Sequence, residues 1–387
     1  MGDTRPPDND GSDENYVKAE VGRLREVAKE YKADDIKSGK WFERFLFYAL
    51  RTYMNKVDWK FFQDKYPHLP ADAIVARRIA LAQRYAMAEG GMTTSVYSAA
   101  VAATLGSHGG ASPIAVPGAI LNFSVDLLFT TQLQLQLAYD LAVLYRNPIN
   151  PDDAEDMYDL LRVAFGIKAG EALRDFVPKA TPELLRQGIK VAISGSRLAW
   201  LKALPIIGKY LLQRNIMKFA IPVVNVPLTM KLNHWLTGQV GKKARIIYRD
   251  KSVIQEYASN LVAEHEVPPD VLLDTVYYVA SADGQITAEE SWLMKHLTEA
   301  LSEEPSTEEA VKRFSQMVAF DSQKFLDGIA RLPPGTQAEV FDVAFHVAAC
   351  DHEIAREELS ALRKLSAVCA VQLDEEKLRA AAKVGIG

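Results

Sequence analysis

The chain has 387 residues, 48% hydrophobic and 25% charged, with a formal net charge of −5; at that length a single hydrophobic core stops growing and two domains are expected. A mean hydropathy near zero argues against a multi-span membrane protein. Two cysteines, Cys350 and Cys369, leave no disulfide framework and fit a reducing compartment.

Charge is unevenly spread. Residues 160–250 hold 16 Lys and Arg against 4 Asp and Glu, whereas 251–387 hold 12 against 24. A basic middle and an acidic end can attract each other or address different partners. Residues 1–14 are polar and acidic, contain Pro6 and Pro7, lack the basic and apolar parts of a secretory signal, and are expected to be disordered. A cytoplasmic location is expected, peripheral at the inner face of the cytoplasmic membrane.

From residue 14 to 31, Tyr16, Val17, Val21, Leu24, Val27 and Ala28 recur at helical spacing and predict an amphipathic lead helix. Trp41, Phe42, Phe45, Leu46, Tyr48, Ala49 and Tyr53 continue that spacing, and Phe61, Phe62 and Tyr66 precede breaks at Pro67 and Pro70. Such a stripe predicts core packing, with interfacial anchoring as the alternative. Pro70 and Asp72 open a further helix through Ile74, Val75, Ile79, Ala80 and Leu81, expected to end near Gly90 and Gly91.

Gly90 begins 36 residues without Asp, Glu, Lys or Arg, ending at Val125. Glycines and prolines between 106 and 118 divide the run, and its pieces, 92–105 and 114–125, fall short of the roughly 20 residues a membrane-crossing helix needs. Buried core, re-entrant hairpin and lipid-contacting surface all stay open. Residues 119–145 predict one long helix apolar almost all round, a pattern that means burial on every side. Within it Asp126, Gln132 and Gln136 are candidate buried polar groups; at 100° per residue Gln132 and Gln136 share a side and Gln134 points nearly opposite. Ser107 and His108 before Gly109 and Gly110 superficially suit an oxyanion loop. There is no Gly-x-Ser-x-Gly elbow and no acid–His pairing beside them, so no catalytic residue is assigned.

No acidic residue occurs between Glu183 and Asp250. Arg186, Lys190, Arg197, Lys202, Lys209, Arg214 and Lys218 alternate there with aliphatic residues and Trp200, a composition suited to anionic headgroups. Arg197, Trp200, Lys202, Lys209, Arg214 and Lys218 are therefore candidate lipid contacts, and an anionic membrane surface or lipid, or a membrane protein, is the expected partner. The alternative is a solvated face, or one paired with the acidic C-terminal part. Nucleic acid is not expected, because the segment lacks an aromatic platform for stacking bases, and no phosphate loop or dinucleotide fingerprint occurs.

From about residue 252 the pattern becomes short helices. Thr287 and Glu290 form a capping-box pattern. The stretch Ala280, Asp283, Gly284, Ile286, Glu289, Glu290 recurs 68 residues later as Ala348, Asp351, His352, Ile354, Glu357, Glu358. Each copy lies between apolar helices, each entering helix follows a Pro-Pro pair, and the repeat predicts two facing helix–turn–helix units. Each turn needs a position tolerant of φ > 0, an Ile folded back into the core, and acids in the first turn of the next helix. The sharper alternative is a divalent cation held by Asp283, Glu289 and Glu290, or by Asp351, Glu357 and Glu358, since hard oxygens suit Ca²⁺ or Mg²⁺. His346 and His352, six apart, do not stack on one helix face as a zinc pair would.

Residues 255–387, through Ala282-Asp283-Gly284, Ile286, Glu290 and the copy at Asp351, resemble the TerB-like family of small helical bundles. That resemblance implies a link to tellurite resistance and membrane-linked stress systems, with metal binding proposed at the acidic turns. His352 at the glycine position and Ala355 in place of a hydroxyl depart from the pattern. Residues 70–250 resemble the EcsC family, through Pro117-Gly118, Asp126, Thr130 to Gln134, Leu141 to Tyr145, Leu204 to Gly208 and Ile221 to Asn225. EcsC proteins are bacterial, some encoded beside an ABC transporter, and they supply no catalytic residues.

The chain is thus expected to be all-α: a start and lead helix over 1–35, an EcsC-like helical domain over 36–251, and a smaller TerB-like bundle with an internal repeat over 252–387. The leading expectation for function is a non-catalytic protein at the cytoplasmic membrane surface, with the TerB-like part as a sensing or docking module in envelope or metal-stress response. A soluble switch or scaffold held by basic-to-acidic contacts is the second hypothesis, and a lipid-acting hydrolase the third.

Overall fold

The computed structural model describes residues 10–105, 117–166, 204–205, 207–212, 226–264, 267–284, 286–302, 307–316, 319–350 and 353–384. Every regular element among them is helical and no strand occurs among the described residues. The chain is all-α. Its described residues form two compact units, one of 10–166 with 204–248 and one of 249–384.

The first unit begins with α1 (Asp10–Lys29), α2 (Ala33–Ser38), α3 (Trp41–Met54) and α4 (Trp59–Lys65). The helix α1 starts at Asp10, so the last part of the segment expected to be disordered is ordered. Asp13 explains part of this, because its carboxylate accepts from Arg84 Nε at 2.8 Å. Next come α5 (Ala71–Leu105), α6 (Pro117–Leu144), α7 (Ala154–Phe165) and α8 (Val226–Glu264), the last contributing its residues through Tyr248. The helix α6 is the hub, with α1, α3, α4, α5 and α7 all packed on it. Its side chains from Ser124 to Leu144 are buried almost without interruption, as an all-round apolar helix requires. The aromatic stripe of α3 is core: Trp41, Phe42, Phe45, Leu46, Ala49 and Tyr53 are buried, while Tyr48 stays exposed.

One expected boundary is corrected. The helix α5 runs through Gly90 and Gly91 for 35 residues because these glycines keep a helical conformation and serve close approach instead of a stop. A Cβ at Gly90 would lie 2.8 Å from Asn233 Nδ2, and one at Gly91 3.3 Å from Met230 Sδ. Opposite, α8 presents Gly238 to Gln83 and Gly241 to Ile79. Glycine at such positions lets two backbones approach where any side chain would hold them apart. Beyond the glycines, Arg245 Nη2 donates to Asp72 Oδ1 at 3.0 Å and Tyr145 Oη donates to the same carboxylate at 2.6 Å.

In the second unit α9 (Pro269–Ala280), α10 (Ala288–Ser302), α11 (Glu308–Gln316), α12 (Ser322–Ile329), α13 (Pro334–Val347), α14 (Arg356–Cys369) and α15 (Glu375–Val384) follow. The helix α9 is central, with α10, α11, α12, α13 and α14 against it. The internal repeat is visible in the punctuation. Both α9 and α13 begin on a proline preceded by a proline cap, where the missing N–H would have no intrahelical partner anyway. Gly284 adopts φ +77° in the turn before α10. Ile286 and Ile354 are half-buried instead of fully in the core. Cys350 and Cys369 are both buried and unbridged, and burial pushes the Cys369 thiol up to about 11.

Candidate functional site

The acidic turns resolve into helix caps. Glu290 Oε2 accepts from Thr287 N–H at 2.7 Å and from its hydroxyl at 2.9 Å, while Glu290 N–H donates to Thr287 Oγ1 at 3.3 Å; this is a complete capping box. In the second copy Glu358 Oε2 accepts from Ala355 N–H at 2.6 Å, but Ala355 offers no oxygen in return. Glu290 and Glu358 are accordingly buried, Glu289 is half-buried, and Asp283 and Glu357 face solvent. Asp351 and His352 lie outside the described residues. No group of three or more His, Cys, Asp or Glu is placed to hold a metal ion among the described residues. His346 Nδ1 sits 2.9 Å from the Asp342 carbonyl oxygen, one turn back on its own helix.

The polar residues expected inside α6 are all found buried or half-buried. Asp126 is 1% exposed and Gln134 is buried as well. Gln132 Nε2 donates to Glu20 Oε1 at 2.5 Å, and Glu20 pairs with Arg23, so the lead helix meets α6 through a partly buried polar cluster. Arg23 in turn lies over the Tyr48 ring, 5.1 Å from its centroid. Gln136 lines a small cavity between α1, α5 and α6.

Beside that cavity stands an ion pair that no sequence pattern had marked. Arg78 of α5, 6% exposed, donates from Nε and Nη2 to Asp140 Oδ2 at 2.8 and 2.6 Å. Asp140 of α6 is 1% exposed, and its other oxygen accepts from Tyr53 Oη at 2.7 Å. Burial opposes the charge on Arg78, but Asp140 together with the Tyr53 and Tyr66 hydroxyls outweighs it and holds the guanidinium well above its ordinary value. Burial raises the Asp140 carboxyl despite Arg78, and burial with the neighbouring carboxylate drives the Tyr53 hydroxyl well above its usual range. The two residues are 62 apart in sequence, so the only available signal was the charge of Asp140, one of two in a helix apolar almost all round.

The candidate lipid contacts Arg197, Trp200, Lys202, Arg214 and Lys218 lie outside the described residues, as do Ser107 and His108. Lys209 is described and exposed, with Tyr210 beside it at 42% exposure. Both belong to a helical segment, 207–212, that approaches the start of α3 closely: a Cβ at Gly208 would lie 2.3 Å from Gly39 O and 2.9 Å from Phe42 Cβ.

A second basic surface emerges on α8. Trp235 and Ile246 are 57% and 60% exposed, the most exposed of the large hydrophobics among the described residues. Lys231, Lys242 and Lys243 are exposed alongside them. Lys231, Trp235, Lys242 and Ile246 fall within about 60° of helical arc, along roughly 22 Å of axis. Between Val226 and Arg249 the helix has no acidic residue. The face follows from local sequence: Asn233, Thr237, Gly238, Gly241 and Ala244 turn inward, which leaves the lysines, Trp235 and Ile246 outward. Its signal was present in the acid-free stretch, but the lipid-contact expectation stopped at Lys218.

Among the described residues no helix is long and apolar enough to cross a membrane. Residues 272–382 match the family model described as Tellurite resistance protein TerB. The C-terminal part is therefore a TerB-like domain. No curated protein and no solved structure matches the chain.

Proposed function

We propose that this protein works without catalysis at an anionic membrane surface, which it meets through the basic, tryptophan-bearing face of α8. The observation that carries the proposal is the pairing of exposed Trp235 and Ile246 with Lys231 and Lys242 on one narrow helix arc, flanked by exposed Lys243, in a stretch without carboxylates from Val226 to Arg249. Indole and aliphatic side chains favour the boundary between headgroups and acyl chains, and lysines meet the anionic phosphates above them. Each basic residue near such a surface contributes on the order of 1 kcal/mol, so three together are worth roughly a hundredfold in partitioning. The resemblance of residues 70–250 to the EcsC family and the exposed Lys209 of the same acid-free segment belong to the same reading. Within it the TerB-like domain is the sensing or docking module, and envelope stress is the setting its resemblance implies.

The test is sedimentation of the full chain with vesicles of phosphatidylcholine alone or with phosphatidylserine added. The proposal expects pelleting with the anionic vesicles, weakened by salt and by the triple change of Lys231, Lys242 and Lys243 to Gln. Absence from both pellets at low salt, or pelleting that ignores the triple change, contradicts it.

A further inference from the structure

The cavity beside the buried ion pair has a volume of about 10 Å³ and is lined by Tyr16, Arg78, Gln136, Asp140 and apolar residues of α5 and α6. Arg78 uses Nε and Nη2 on Asp140, yet its Nη1 is buried with no hydrogen-bond acceptor in the protein. A guanidinium N–H cannot shed its proton to escape this, because arginine does not titrate in proteins. Leaving such a donor unmet costs roughly 1–3 kcal/mol. We infer that the cavity is a hydration site for one ordered water, which accepts from Arg78 Nη1 and donates to the oxygens that face it.

Three observations select water over other small ligands. The volume is that of about one water-sized sphere, and Tyr16, Arg78, Gln136 and Asp140 in its lining are the polar side chains an ordered water would use. Arg78 and Asp140 neutralise each other across 2.6 Å, so an anion would meet the Asp140 carboxylate and a cation would meet the guanidinium. The remaining partners, the Gln136 amide and the Tyr16 hydroxyl, donate or accept as required. With Tyr16 on α1, Arg78 on α5 and Gln136 on α6, the water joins three helices at the root of the ion pair.

The experiment is a crystal structure of the full chain at a resolution that places solvent, with bromide-soaked crystals as a second arm. The expected result is a single water-sized peak within hydrogen-bond distance of both Arg78 Nη1 and the Gln136 amide, with Asp140 or Tyr16 as a further partner, and without anomalous signal in bromide. A dry cavity, a protein oxygen on Nη1, or a bromide peak overturns the inference. In solution, oxygen-17 relaxation dispersion should count one fewer long-lived water in Gln136→Leu than in the parent chain. An unchanged count in a variant that retains its helicity also overturns it. Should Gln136→Leu fail to fold, the density of the parent chain decides alone.

Discussion

Replacing Asp140 with Asn leaves the Arg78 guanidinium buried, charged and without its counter-ion, because arginine cannot neutralise itself by losing a proton. Breaking a buried pair from one side in this way costs about 3–5 kcal/mol. Arg78 and Asp140 are respectively 6% and 1% exposed, so solvent offers little relief. At roughly 2–4 °C per kcal/mol for a unit of this size, the thermal midpoint of the first unit should fall by about 6–20 °C. Arg78→Met should cost less, since burial already raises the Asp140 carboxyl; taking up a proton, it keeps its bond with Tyr53. Removing the whole network in Tyr53→Phe, Arg78→Met, Asp140→Leu should bring stability back to within about 2 kcal/mol of the parent, because the desolvation penalty goes with the charges. Differential scanning calorimetry of the four chains at pH 7 reads these shifts. A loss below about 1 kcal/mol in Asp140→Asn, or an all-apolar variant as unstable as Asp140→Asn, refutes the reasoning.

The remaining predictions concern local devices. Gly39 holds φ +78° with the Pro205 carbonyl oxygen 1.9 Å from where a Cβ would sit, so Gly39→Ala should cost about 3 kcal/mol or more. Gly284 has nearly the same φ but open space around it, and Gly284→Ala should cost only about 1–2 kcal/mol; equal midpoint losses in calorimetry would contradict the steric argument. Ala355→Ser should stabilise the second unit by about 0.5–1 kcal/mol by completing the capping box that Glu358 half makes, and a denaturation midpoint at or below the parent's would count against it. The hydrogen bond with His296 holds the Glu299 carboxyl below its ordinary value. Its folded pKa being the lower one, its contribution is complete above the unfolded value and lost as pH falls through the folded one. Glu299→Gln should therefore show a shallower fall of melting midpoint between pH 5 and 3 than the parent, and parallel curves would refute the assignment.

The sequence announced its fold through periodicity and caps. The burial of α6 follows from its all-round apolar pattern, and the spacing of Thr287 and Glu290 marks the start of α10. What escaped were features whose meaning depends on a distant partner. Gly90 and Gly91 look like a stop signal, and only Asn233 and Met230 across the seam show them to be a place of close approach. Asp140 and Arg78 carry no common motif, since helix packing brings them together from 62 residues apart. Trp235 and Ile246 are more hydrophobic than Asn233, Thr237, Gly238, Gly241 and Ala244, so composition alone would bury them; they stay exposed because Gly238 and Gly241 turn the opposite face toward α5. The acidic turns were legible as caps from spacing alone, and the oxygens of Glu290 and Glu358 meet backbone N–H groups as that spacing implied.

The most direct test of the membrane proposal is fluorescence quenching of the full chain by phospholipids brominated along their acyl chains, mixed into phosphatidylserine vesicles. The proposal predicts that bromolipid quenches part of the tryptophan emission, and that the quenched fraction drops in Trp235→Phe. Quenching of the same size in Trp235→Phe, or none in the parent chain, would contradict the claim that this face of α8 enters a lipid surface.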